Sequence, residues 1–236
     1  MYSMAAPHAK GKSAEDNIFA ANNRAIALAE KIGTENVVNA TVGSILDEDG
    51  SLVVLDVVKE ALSALTPKEM CAYAPIQGYR AFLDACIDQC FGKSRPEGYI
   101  DACSTPGGTG VLHHVVHNYS EVGDEVLISD WHWGAYDSLI DDNNRKVRTF
   151  SLLTEDGHFH AADFKDKVED ILSRQDNIVI ILNGIANNPT GYCLSDEEWQ
   201  AAIDVLKEAV KDETKKAILI PDVAYLAYSG EKEECI

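Results

Sequence analysis

The stretch NIVIILNGIANNPTGYCLSDEEWQAAIDVLKEAVKDETKKAILIPDVAY (177–225) decides the fold. NIVIILNG (177–184) opens it with an apolar run rich in isoleucine, the pattern of a strand covered on both faces. Residues 195–211 read as a helix, and AILIPDVAY (217–225) as a second strand. A strand, a helix and a strand in succession form a βαβ unit, whose two strands lie parallel. The same alternation continues upstream. YIDACST (99–105), EVLISD (125–130) and KVRTFSL (146–152) are expected strands, separated by helices at 109–120, 133–142 and 161–173. The chain is thus read as α/β: a mostly parallel sheet with helices on both faces.

Further upstream, Ile18, Ala21, Ala25, Leu28 and Ile32 form a helical stripe that starts near Asn17 and ends at Gly33. VVNATVG (37–43) is an expected short strand and DEDG (47–50) a turn, with helices at 52–65 and 78–91. Residues 1–16 are polar and read as a loose arm.

Lys and Arg number 20 and Asp and Glu 39, a formal net charge of −19. That charge disfavours nucleic acid and anionic membrane surfaces as partners. No apolar run approaches the ~18 residues a membrane-crossing helix needs, and the N-terminus lacks a secretory signal core. The cysteines (71, 86, 90, 103, 193 and 235) include no CxxC pair, which reads as reduced thiols in a cytoplasmic protein. Cys86 and Cys90 share a helix face that suits burial.

In open α/β sheets, ligands bind beyond the carboxyl ends of the strands. TPGGTG (105–110) follows the first expected strand and opens a helix. Its glycines admit close approach, free amides at a helix start favour a phosphate, and Thr109 adds a hydroxyl. By itself, Gly-Gly there reads more readily as a plain turn. DWHWGAY (130–136) sets two tryptophans after the second strand, as a face for a ring or as packing. NGIANNPTG (183–191) presents Asn188 from an irregular loop, because Pro189 bars helical geometry for it; the plain alternative is a surface turn. PDVAYLAY (221–228) ends an apolar run on Asp222, a carboxylate costly to bury unpartnered, with Tyr225 three residues on. A helix-capping aspartate is the alternative there. One ligand, pyridoxal 5′-phosphate, uses all four features: a phosphate cradle, an aromatic face, a carboxylate at its pyridine nitrogen and donors at its phenolic oxygen.

NATVGSILDEDG (39–50), YAPIQGYRAFL (73–83), STPGGTGVL (104–112), SDWHWGAY (129–136), NNPTG (187–191) and DVAYLAYSG (222–230) together resemble the class I aminotransferases of pyridoxal-phosphate fold type I. Among these the chain is most similar to the aspartate and aromatic amino-acid aminotransferases. The resemblance implies that Gly107, Gly108 and Thr109 bind the phosphate. It implies that Trp133 stacks on the ring, with Trp131 as the other register. Asn188 and Tyr225 are implied at the phenolic oxygen and Asp222 at the pyridine nitrogen. Tyr73 is implied to reach the neighbour's phosphate in a homodimer with shared active sites, and Gly43, Trp133 and Asn188 to face the substrate. The implied activity moves an amino group from an aspartate- or aromatic-type amino acid to a 2-oxo acid. The implied domains are an arm (1–16), the start of a small domain (17–51) and an incomplete cofactor-binding large domain (52–236).

No catalytic residue is assigned, since the family's Schiff-base lysine is expected beyond Ile236, as are its phosphate- and carboxylate-gripping arginines. Lys232, in SGEKEEC, stands too close to Tyr225 to take that place. The chain is therefore expected to be an N-terminal portion of the enzyme, inactive alone. Rival readings are a pyridoxal-phosphate-dependent lyase or decarboxylase on the same fold, and a non-catalytic pyridoxal-phosphate-binding regulator, which the acidic N-terminus matches poorly. A nucleotide-binding domain using GGTG is a further rival, though GxGxxG is missing. His113 and His117 have a zinc-like spacing but lack the Glu of a metalloprotease helix, so they read as helix surface or packing and no metal is expected. His158 and His160 read as a hairpin-like surface. Asp141, Asp142, Glu197 and Glu198 read as a solvated acidic face.

Overall fold

The chain divides by its backbone contacts into two units, Met1–Tyr73 and Ala74–Ile236, in a computed structural model that describes residues 4–10 and 17–229. Lys232, Cys235 and most of the expected N-terminal arm lie outside the described residues. The division falls after Tyr73, whereas the sequence reading sets its boundary before residue 52.

In the first unit, α1 (Asn17–Ile32) ends at Gly33, whose φ of +98° is a left-handed stop that a side chain would strain. VVNATVG (37–43) forms no strand. Its polar side chains bond locally instead: Asn39 Nδ2 donates to Asn22 Oδ1 of α1 at 2.8 Å, and Thr41 Oγ1 donates to Asn39 Oδ1 at 2.7 Å. The DEDG turn forms as expected, closed by the Gly50 amide on the Asp47 carbonyl and flanked by an antiparallel Leu46–Leu52 bridge. Of the helix expected over 52–65, only α2 (Asp56–Ala64) forms. The short α3 (Pro67–Cys71) starts behind a capping box of Thr66 and Glu69. No described residue of this unit is buried.

The second unit holds the core. Its elements are α4 (Arg80–Phe91), α5 (Gly107–Tyr119), β1 (Glu125–Ser129), α6 (Ala135–Asp142), β2 (Lys146–Phe150), α7 (Ala161–Leu172), β3 (Asn177–Leu182), α8 (Asp196–Ala209) and β4 (Lys216–Pro221). The strands form one parallel sheet in the order β2-β1-β3-β4. Alternate side chains point to opposite faces. Leu127, Ile178, Ile180 and Leu182 pack with Phe164, Val168 and Ile171 of α7 and Ala202 and Leu206 of α8. Val126, Ile128, Val179 and Ile181 pack with Leu112 and Val116 of α5 and Tyr136 and Ile140 of α6. Helices therefore cover both faces, as the isoleucine-rich runs require. No helix among the described residues is long and apolar enough to cross a membrane.

YIDACST (99–105) is not a strand. Among the described residues no strand lies alongside it, and its Asp101 instead accepts from Arg80 and from the Ala102 amide. Cys86 is exposed and Cys90 half-buried, although their shared helix face suits burial; the five described cysteines are free. His158 and His160 flank Phe159 at the end of a hairpin-like turn closed by a Leu153–Phe159 bridge, but Phe159 itself is core.

Glu198 is not part of a solvated face. Its carboxylate accepts from the Phe159 amide (2.8 Å), the Tyr192 hydroxyl (2.6 Å) and the Ser195 amide (2.9 Å). Burial pulls its pKa up, and these bonds outweigh burial, so the carboxyl titrates below its ordinary value. Burial and the same contact push the Tyr192 phenol up to about 12. At the other end of the sheet, the buried Arg145 fork donates to the Ser120 hydroxyl and to the carbonyls of His117, Ser120 and Asn143, gathering the last carbonyls of α5.

Candidate functional site

The strand order reverses between β1 and β3. The chain leaves β1 for β2 on one side through α6, and leaves β3 for β4 on the other through α8. Those helices lie on opposite faces, so a crevice opens at the carboxyl ends of β1 and β3. The unusual residues after each strand meet there.

After β1 come Trp131, His132 and Trp133. Trp131 is exposed, and its carbonyl accepts from Ser129 Oγ (2.7 Å) and Asn187 Nδ2 (3.2 Å). Trp133 is half-buried and meets Tyr136 edge-on, with ring centroids 5.9 Å apart. After β3, the buried Asn183 uses both ends of its amide. Its Nδ2 donates to the Asp222 carbonyl at 2.8 Å, and its Oδ1 accepts from the Asn188 amide at 2.6 Å. Asn187, also buried, ties the loop by donating to the Asn183 carbonyl and accepting from Thr190. After β4, Asp222 is half-buried. Its Oδ2 accepts from the Tyr136 hydroxyl at 2.5 Å and its Oδ1 from the Ala224 amide at 3.0 Å. Asn188 Nδ2 donates to Tyr225 Oη at 3.4 Å.

The structure thus brings Asn188, Asp222 and Tyr225 together, and Trp133 joins them through Tyr136. Gly107, Gly108 and Thr109 open α5, which packs on the sheet and is linked to the start of β1 by only a short turn. The helix therefore runs against the strands and brings its N-terminus to their carboxyl edge. No side chain caps that terminus, and a Cβ on Gly107 or Gly108 would meet nothing within 4 Å. Gly110 is tighter, since a Cβ there would sit 2.7 Å from Pro106 Cδ. Gly43 and Tyr73 belong to the N-terminal unit, where both are exposed. His113 and His117 stack on α5, and the Asn143 amide donates to His113 Nδ1 at 3.0 Å.

Sequence reasoning passed over Tyr136, Asn183 and Asn187. Each had a signal. Tyr136 lies three residues beyond Trp133, on the same side of a helix turn. Asn183 is the first polar residue after the β3 run, and a polar group there must find partners.

The family described as aminotransferase class I and II matches residues 35–234. A chloroplastic aspartate aminotransferase of Arabidopsis thaliana is 30% identical over 204 residues, covering 83% of this chain and 43% of that protein. An aromatic-amino-acid aminotransferase of Escherichia coli is 25% identical over 206 residues, covering 84% of this chain and 49% of that protein. A crystal structure of an aminotransferase from Anaerococcus prevotii superposes with a TM-score of 0.93 at 38% identity, covering 97% of this chain and 56% of that one. The chain spans about half the length of the curated relatives it matches. With its parallel sheet, its crevice and this match over most of its length, the chain belongs to the class I and II aminotransferases, a family whose class I members have fold type I and use pyridoxal 5′-phosphate.

Proposed function

We propose that the protein is a pyridoxal-phosphate-dependent aminotransferase that moves an amino group from an aspartate- or aromatic-type amino acid to a 2-oxo acid. The convergence of Asp222, Asn188 and Tyr225 at one crevice carries this reading. The residues present fit the cofactor. The uncapped start of α5 offers the amides of Gly108 and Thr109 to a phosphate, with Gly107 leaving the approach open. Trp133 offers a ring face, Asp222 a carboxylate for the pyridine nitrogen, and Asn188 and Tyr225 two donors for the phenolic oxygen. Bound there, the cofactor would supply an electron sink for charge at the substrate Cα. Asp222 holds a proton at the ring nitrogen, while Asn188 and Tyr225 orient the ring. Trp133 and Asn188 face the substrate, and assembly as a homodimer goes with this reading. A cytoplasmic setting goes with this reading, in line with relatives such as the cytoplasmic aspartate aminotransferase of Dictyostelium discoideum.

The test is made on the protein produced from its natural gene. Adding pyridoxal phosphate is expected to produce a protein-bound absorbance band, with amino transfer from aspartate or phenylalanine to 2-oxoglutarate. Asp222→Ala is expected to cut turnover by roughly 10²-fold or more, because a charge pair is lost in a dry site. Asn188→Ala, which removes one neutral hydrogen bond, costs less. Release of ammonia or carbon dioxide in place of amino transfer overturns the reading, and so does a site that takes NAD instead.

A further inference from the structure

We infer that Tyr136 is a positioning residue for Asp222: its hydroxyl holds the carboxylate in place at the crevice, where the ring nitrogen of the cofactor would meet it. This role rests on the cofactor site proposed above.

Tyr136 lies in the first turn of α6 and is 2% exposed. Its partner stands on the far side of β1 and β3, after β4, and the Tyr136 hydroxyl donates to Asp222 Oδ2 at 2.5 Å. The rest of Asp222 is held as firmly. Its amide donates to the Leu182 carbonyl at 3.0 Å, its carbonyl accepts from Asn183, and its Oδ1 accepts from Ala224. These bonds fix both oxygens, and a second lone pair of Oδ2 is left for a further donor.

The phenol is itself clamped. Trp133 meets it edge-on, and His132 stacks on it with centroids 6.1 Å apart. His132 Nδ1 lies 2.8 Å from the Ser129 carbonyl, and its Nε2 lies 3.2 Å from Asp137. The titratable groups that act on the Tyr136 phenol are Asp222 and Tyr225, both from the segment after β4. Burial, then the bond to Asp222, push the Tyr136 phenol well above its ordinary value, so it stays a neutral donor. A donor aimed at a carboxylate favours its charged form. With the cofactor bound, a donor on Asp222 would favour the proton on the ring nitrogen, where it would make the ring electron-poor.

A merely structural Tyr136 would change stability and leave that proton where it was. The two cases separate in the protein produced from its natural gene and loaded with isotope-labelled pyridoxal phosphate, by following the NMR shift of the ring nitrogen against pH. The wild type is expected to keep the nitrogen protonated through neutral pH. Tyr136→Phe is expected to move the proton equilibrium about tenfold toward the free base. A fluorotyrosine at position 136 keeps the shape and donates more strongly, and is expected to move it the other way. That second variant keeps the test open if the Phe protein fails to fold. A nitrogen that responds to Asp222→Ala but to neither change at 136 overturns the role of Tyr136 and leaves the cofactor site standing. A wild type that binds no cofactor, or a nitrogen indifferent to Asp222→Ala, overturns the site and this role with it.

Discussion

Two capping boxes of the same design sit in the two units. Thr66 and Glu69 close one at α3, and Ser195 and Glu198 close the other at α8. In each, the hydroxyl accepts an amide of the first turn and the glutamate accepts the amide of the capping residue. Glu69 is held below its ordinary pKa by the side chain and backbone of Thr66. Glu198 reaches further, to the Phe159 amide and the Tyr192 hydroxyl, and so joins the turn before α7, the loop after β3 and the start of α8. A motif that is purely local in one unit becomes a tertiary junction in the other, because packing there delivers two more donors. The wider contrast is the same: the described residues of Met1–Tyr73 bury nothing, while β3 is almost wholly buried.

That contrast can be broken by substitution. The largest effect is expected at Ile180, which is fully buried in a central strand. Ile180→Ala should cost about 2–5 kcal/mol in urea unfolding, whereas Val57→Ala, at a residue 67% exposed, should stay within about 0.5 kcal/mol. Equal costs would erase the distinction between the units.

Glu198→Gln comes next, at about 1–2 kcal/mol near neutral pH, because charge-assisted bonds become neutral ones. Its sign with pH follows from the depressed pKa. The Glu198 contribution is full above the ordinary value of 4.5 and is lost as pH falls through the lower folded-state value. The stability curves of wild type and Glu198→Gln should therefore converge on acidification. Parallel curves would show that Glu198 is solvated after all.

The boxes themselves give the smallest and sharpest comparison. Ser195→Ala should lower the unfolding free energy by about 1 kcal/mol, and Thr66→Ala by no more than a few tenths, since α3 is a single exposed turn and half. A Thr66→Ala loss as large as that of Ser195→Ala would mean that α3 unfolds together with the sheet.

Much of the fold was legible because the runs 125–130 and 177–184 are apolar enough to be buried on both faces, and these and the outer runs 146–152 and 217–225 each found a parallel neighbour. VVNATVG and YIDACST carry weaker versions of the same signal and became irregular, because a strand is a property of a pair and neither has a neighbour among the described residues. At the site, the residues next to Gly and Pro were legible from backbone chemistry, as at Gly107 and Asn188. Tyr136, Asn183 and Asn187 were not, since their importance lies in partners up to 86 residues away. Glu198 was misread for the same reason: periodicity shows which way a helix faces and says nothing of the loop that folds over it.

The two outer strands of the sheet also differ in how they will behave in a test tube. β2 meets its surroundings with Lys146 and Arg148, charges that discourage a second copy from pairing along it. Among the described residues β4 pairs only with β3, and its free side runs along Ala217, Ile218, Leu219 and Ile220. Produced on its own at high concentration, this chain would seed insoluble material through β4 and not through β2. Its net charge of −19 holds copies apart in dilute buffer, and that protection fades as salt is added. Purification in low salt is the practical remedy that the edge dictates.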